Sequence, residues 1–105
     1  MVKSAQKNTF SISEIDAYKS AWQNPGAVKA MINWYRAYEY SRPMMKRIIV
    51  PTLIIWGEND KFLLPEMAAK SNLMCTKGKL VMIEATHWLH HEKPAEINQL
   101  ILNFL

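Results

Sequence analysis

The 105 residues contain one cysteine, three glycines and no apolar run long enough to cross a membrane. A lone Cys75 excludes an internal disulfide. Beside Leu73 and Met74 it reads as a small buried hydrophobe rather than a nucleophile, compatible with a reducing compartment. The longest apolar stretch runs from Ile48 to Trp56 and contains Pro51, whereas a spanning helix needs about 20 residues. The opening MVKSAQKNTF has no apolar core, so no secretory signal is expected, and the chain reads as soluble and cytoplasmic. Acidic residues are fewer than basic ones, nine against thirteen, for a net charge of +4. The basic residues are scattered, however, and the densest runs are Lys46-Arg47 and Lys77-Gly78-Lys79. They form no stripe interleaved with aromatics, which argues against a nucleic-acid partner. Length is short too: one domain at most, below the roughly 200 residues of a complete large α/β enzyme.

What is present is a globular composition, 50% apolar and 21% charged, arranged as two helices followed by strand, helix, strand and helix. Residues 1–10 are polar and expected to fray. Ser11-Ile12-Ser13-Glu14 fits a capping box, with Ile15, Tyr18 and Trp22 then falling on one helical face. Asn24-Pro25-Gly26 stops that helix. A second is expected from Ala27 to Tyr40, ended by Ser41-Arg42-Pro43. Its stripes Val28, Met31, Ile32, Tyr35, Tyr38 and Ala27, Ala30, Trp34, Ala37 both call for cover. After a basic connector at Met44 to Arg47, Thr52 to Trp56 is an unbroken apolar strand of the kind buried on both faces in a parallel sheet. Pro65 opens a helix to about Asn72. Lys77-Gly78-Lys79 is expected to turn into the strand Leu80–Glu84. Thr86 to Lys93 reads as loop. Pro94 opens a last helix with Ile97, Leu100, Ile101 and Phe104 on one face. The methionines Met31, Met44, Met45, Met67 and Met74 read as core filler.

This is an α/β pattern with two parallel strands joined through a helix. Such sheets are normally extended by further strands and covered on both faces. Two strands alone leave unpaired edges, so the chain either associates with more sheet or is part of a larger domain. Ligands of parallel sheets bind beyond the carboxyl ends of the strands. Asp60 follows the first strand there, in Gly57-Glu58-Asn59-Asp60, and His87 follows the second, in Glu84-Ala85-Thr86-His87. Neighbouring strands lie about 4.8 Å apart, so their loops can bring the two together. A carboxylate that accepts from one imidazole nitrogen fixes the tautomer and frees the other nitrogen as a base. The alternative is a turn aspartate and a loop histidine with no joint role. His87, His90, His91 and Glu92 do not have the spacing of a metal-binding helix, and no metal is expected; His90 and His91 read as solvated loop positions. Ser11, Ser13, Ser20, Ser41 and Ser71 have no elbow context for a nucleophile.

Gly57-Glu58-Asn59-Asp60 after an apolar strand, and Thr86-His87-Trp88 followed by Glu92-Lys93-Pro94, resemble the last third of an α/β-hydrolase of the epoxide hydrolase branch. Met31-Ile32-Asn33-Trp34-Tyr35-Arg36 resembles a cap-domain helix of that branch. The resemblance spans residues 12–105 and implies a partial α/β-hydrolase fold, with 1–45 the end of a helical cap and 46–105 the C-terminal part of the core. It implies that Asp60 is the triad acid and His87 the general base that activates water. Tyr35 is implied to be one of the cap tyrosines that donate to an epoxide oxygen; a phenol is protonated at neutral pH and suits that task. Trp34 and Trp88 either line an apolar substrate cavity or pack in a core. The implied reaction is hydrolysis of a small apolar epoxide to a vicinal diol through a covalent ester, with water as second reactant and no cofactor.

The departures from that pattern are equally specific. No Gly-x-nucleophile-x-Gly elbow can be written with Gly26, Gly57 and Gly78, no oxyanion-hole loop is recognisable, and the first tyrosine of the family's cap pair is not identifiable. The remainder of a hydrolase core is therefore the expected partner, and the chain alone is expected to be inactive. Two rivals stand beside this reading. One is a dehalogenase or other hydrolase on the same scaffold; the other is a non-catalytic fragment or interaction subunit.

Overall fold

The computed structural model describes residues 1–38 and 46–105. Two units emerge, Phe10–Met45 and a second made of Met1–Thr9 with Lys46–Leu105.

In the first unit, α1 (Ile12–Gln23) begins at the expected capping box. Ser11 Oγ accepts from the Glu14 N–H at 3.2 Å, and Glu14 Oε2 accepts from the Ser11 N–H at 2.8 Å. Two of the helix's orphan donors are thereby satisfied. Tyr18 packs edge-on against Phe10 and tilted against Trp22, with ring centroids 6.1 and 5.9 Å apart. Gly26, at φ +80°, supplies the left-handed residue between this helix and α2 (Ala27–Tyr38). The helices pack on each other, yet the apolar stripes of α2 stay open: Trp34 is 80% exposed, Tyr35 79% and Tyr38 75%. The expected continuation to Tyr40, the stop at Ser41-Arg42-Pro43, and Met44 and Met45 lie outside the described residues.

The second unit is built on β1 (Ile48–Gly57) and β2 (Cys75–Ile83), which pair in parallel. The pairing runs from Ile48 opposite Cys75 to Gly57 opposite Ile83, with one irregularity between Ile48 and Pro51, which lies opposite Lys77. Proline has no N–H for the ladder, which accounts for the break at that point. Between the strands runs α3 (Pro65–Leu73), with Pro65 in its first turn, packed on both strands. After β2 come a one-turn helix, α4 (Leu89–Glu92), and α5 (Pro94–Leu102). Ile83, Ala85 and Ile97 are buried together, with Ile55, Val81, Leu89 and Leu100 packed around them. Among the described residues, no large side chain is fully buried. The outer part of β1 is open, with Ile49 74% and Val50 60% exposed. Among the described residues both outer edges of the two-stranded sheet lack a strand neighbour, and the apolar run Leu53–Trp56 is only half-buried.

Several sequence expectations are corrected. Lys77-Gly78-Lys79 is part of β2 rather than a turn into it, because in-register pairing with Pro51–Leu53 outweighs the local turn signal. The stretch Thr86–Lys93 is not all loop but contains α4. Residues 1–9 do not fray: they include a short 3₁₀ turn at Val2–Ser4 and belong to the strand unit. Their polar groups find partners there, as shown below. Met31 and Met67 are exposed rather than core filler, and Met74 and Cys75 are half-buried. Among the described residues, no helix is long and apolar enough to cross a membrane.

Candidate active site

Gly57 ends β1, and the backbone after it crosses the loop that leaves β2. The Glu58 N–H donates to Ile83 O at 2.9 Å and the Asn59 N–H to Ala85 O at 3.0 Å. A Cβ on Gly57 would lie 2.6 Å from Ala85 O and closer still to Thr86 O. Only glycine allows the two loops to approach this closely. A turn closed by the Asp60 N–H on Gly57 O, at 3.2 Å, then points the Asp60 carboxylate back toward the β2 end.

Asp60 and His87 meet there. His87 Nδ1 lies 2.9 Å from Asp60 Oδ2. The other carboxylate oxygen, Oδ1, accepts from the Phe62 N–H at 2.8 Å and the Leu63 N–H at 3.0 Å. The Asp60 side chain is 5% exposed and that of His87 37%. Burial by itself would raise the Asp60 pKa. The hydrogen bonds from His87, Leu63 and Phe62, with the His87 charge, outweigh it and hold the carboxyl below its ordinary value. An ionised carboxylate can only accept, so Nδ1 carries the proton and Nε2 of a neutral His87 is left as an acceptor.

The surroundings are apolar and aromatic. Phe62 and Trp88 each stand edge-on to the imidazole, with centroids 5.1 and 5.6 Å away. An open cavity of about 180 Å³ is lined by Ile55, Trp56, Gly57, Asp60, Leu63, His87 and Leu89. The indole N–H of Trp88 donates to Ser4 Oγ at 2.9 Å. Trp34 and Tyr35 belong to the other unit, where with Ala30 and Met31 they line an open pocket of about 470 Å³. His90 and His91 lie on α4 with rings 4.5 Å apart. Burial, then the neighbouring His91 and His87, hold the His90 pKa below its ordinary value, against an opposing pull from Glu92.

Two features escaped sequence reasoning. Phe62 both donates its N–H to Asp60 and packs on His87; nothing in sequence spacing marks it. Glu92 accepts from the Thr86 N–H at 2.7 Å, the Thr86 hydroxyl at 2.6 Å and the Gln6 N–H at 2.8 Å. Its place in Glu92-Lys93-Pro94 was the available signal.

Known proteins resemble this chain in sequence and in fold. No family model matches the chain. The AB hydrolase superfamily protein YfhM of Bacillus subtilis (strain 168) is 43% identical over 99 residues, which cover 91% of this chain and 35% of that protein. Epoxide hydrolase 4 of Homo sapiens is 35% identical over 95 residues, covering 88% of this chain and 26% of that protein. A crystal structure of the Bacillus megaterium epoxide hydrolase bound to an inhibitor superposes with a TM-score of 0.80 at 28% identity, over 93% of this chain and 38% of that one. This chain belongs to the α/β-hydrolase superfamily, in its epoxide hydrolase branch. It spans about a third or less of the length of these relatives and matches their C-terminal part. The partial α/β-hydrolase fold expected from the sequence is the one observed, two parallel strands with flanking helices.

Proposed function

We propose that this α/β-hydrolase chain supplies the proton-handling half of an epoxide hydrolase site, and that the remainder of the hydrolase core supplies the attacking carboxylate and the oxyanion donors. The observation that carries the reading is the 2.9 Å contact between His87 Nδ1 and a nearly buried Asp60. A carboxylate on the absent part of the core attacks an epoxide carbon. The C–O bond of the ring breaks, and Tyr35 protonates the departing alkoxide oxygen. The product is a hydroxyalkyl ester on that carboxylate. His87 Nε2 then takes a proton from water as the water oxygen attacks the ester carbonyl, and Asp60 stabilises the imidazolium through Nδ1–H. Collapse expels the diol oxygen, which takes the proton of the imidazolium, and the proton of the new carboxylic acid passes through water to the Tyr35 phenolate, so that the vicinal diol leaves and carboxylate, imidazole and phenol are all restored. Trp88 and Trp34 offer apolar walls for the substrate. The free edges of the two-stranded sheet are where the remainder of the core adds its strands.

The test uses the complete hydrolase carrying this sequence, mixed rapidly with a terminal aryl epoxide, with the covalent species followed by mass. His87→Ala leaves ester formation intact and lets the ester accumulate. Tyr35→Phe slows ring opening and leaves ester decay comparatively unaffected. Equal loss of both steps in both variants rejects the assignments. Turnover of haloalkanes without turnover of epoxides rejects the reaction itself.

A further inference from the structure

We infer that Glu92 is a positioning residue for His87, acting through Thr86. The inference rests on the reading of His87 as the water-activating base and adds a residue to it. Glu92 closes the one-turn helix α4 immediately after the His87 loop. Its Oε2 accepts from the Thr86 N–H at 2.7 Å. Its Oε1 accepts from the Thr86 hydroxyl at 2.6 Å and the Gln6 N–H at 2.8 Å. Thr86 Oγ1 in turn accepts from the Trp88 N–H at 3.2 Å. The residue before His87 is therefore held directly by the carboxylate, and the residue after it is held through the hydroxyl. His87 sits in the middle of a clasp with both ends tied. A base must stay within hydrogen-bond reach of its orienting carboxylate, and a misplacement of about 1 Å costs on the order of 10²-fold in rate.

The chemistry of the clasp asks for a carboxylate rather than a carboxamide. The N–H groups of Thr86 and Gln6 point at different oxygens of Glu92. A glutamine has one acceptor oxygen and one donor NH₂ group, so in either orientation one backbone N–H faces a donor. Glu92 is half-buried, and its carboxyl pKa is lowered: burial opposes this, but the bonds from Thr86 and Gln6 and the Lys93 charge outweigh it. An ionised, four-lone-pair acceptor is thus the resting state.

The experiment measures ester formation and ester decay separately by rapid mixing in the complete hydrolase. Glu92→Gln slows decay tenfold or more and changes formation less than twofold. Thr86→Val, nearly isosteric, slows decay in the same selective way by a smaller factor, and Thr86→Ser recovers most of that loss. Because Glu92 and Asp60 act on the same imidazole, E92Q combined with Asp60→Asn slows decay by less than the product of the single factors. Equal slowing of both steps, full multiplicativity with D60N, or a silent T86V each overturns the inference, the first because it marks a merely structural role. If H87A traps the ester while E92Q changes nothing, the role of Glu92 fails and the reading of His87 stands. If H87A traps none, that reading fails and takes the inference with it.

Discussion

Replacing Asp60 by asparagine tests the centre of the site with almost no change of volume. The side chain is 5% exposed and makes three hydrogen bonds, two on Oδ1 and one on Oδ2. Asparagine keeps the oxygen that accepts from Phe62 and Leu63, since turning it would aim the NH₂ group at two backbone donors. Its NH₂ group then faces His87 Nδ1. That nitrogen must become the acceptor, the proton moves to Nε2, and the base is lost from the position where water needs it. The charge term can be sized as well. Unit charges about 4 Å apart at an effective permittivity near 20 attract by about 4 kcal/mol. With the imidazole 37% exposed, solvent screening reduces that to about 2–3 kcal/mol, or roughly 10²-fold in the rate of a step that creates an imidazolium. Loss of the correct tautomer adds to this. Single-turnover mixing with mass detection should show the ester forming at its normal rate and decaying at least about 10²-fold more slowly. Unchanged decay, or formation slowed as much as decay, refutes the argument.

Three further outcomes are expected. Gly57→Ala places a Cβ against the backbone carbonyls of Ala85 and Thr86, atoms that cannot move without the His87 loop; it should destabilise the fold by about 1–3 kcal/mol, read as a lowered Tm, and weaken the Asp60–His87 contact, read as slower ester decay. Asp60 and Glu92 both titrate below their ordinary values of 3.8 and 4.5 in the folded chain. Their stabilisation is therefore complete above those values and is lost as pH falls through the lower folded ones. Acid unfolding followed by circular dichroism should accordingly move to shallower pH dependence in D60N and E92Q, and an acid limb identical to wild type contradicts the shifts. Finally, the 105 residues expressed alone should aggregate or fold poorly and turn over no epoxide, because Ile49, Val50, Trp34 and Tyr35 are left in water; a cooperative monomeric thermal transition contradicts the first part, and turnover abolished by H87A the second.

The local signals of this chain were legible because they act over a few residues. The capping box at Ser11 and Glu14, and the prolines that open α3 and α5, depend on hydrogen bonds and dihedrals within one turn. So does the unbroken apolar run of β1. The order of strand, helix, strand and helix put Asp60 and His87 at the same end of two neighbouring strands, which is topology and can be counted along the chain. Where sequence reasoning went astray, a partner distant in sequence had decided the outcome. Lys77-Gly78-Lys79 carries turn chemistry yet pairs with β1. The polar opening residues carry no order of their own, but Ser4 and Gln6 find partners in Trp88 and Glu92.

Sequence by itself thus determined that a carboxylate, Asp60, and an imidazole, His87, share one rim of the sheet, because strand direction and side-chain type are properties of the chain. The tertiary structure alone decided that Asp60 spends one oxygen on two backbone amides and the other on the imidazole. It alone decided that Phe62 flanks that ring and that Glu92 ties down the loop carrying it. The reason is physical: a hydrogen bond at 2.6–2.9 Å depends on the final path of two backbones, and that path is set by the close crossing at Gly57, which no spacing along the sequence records.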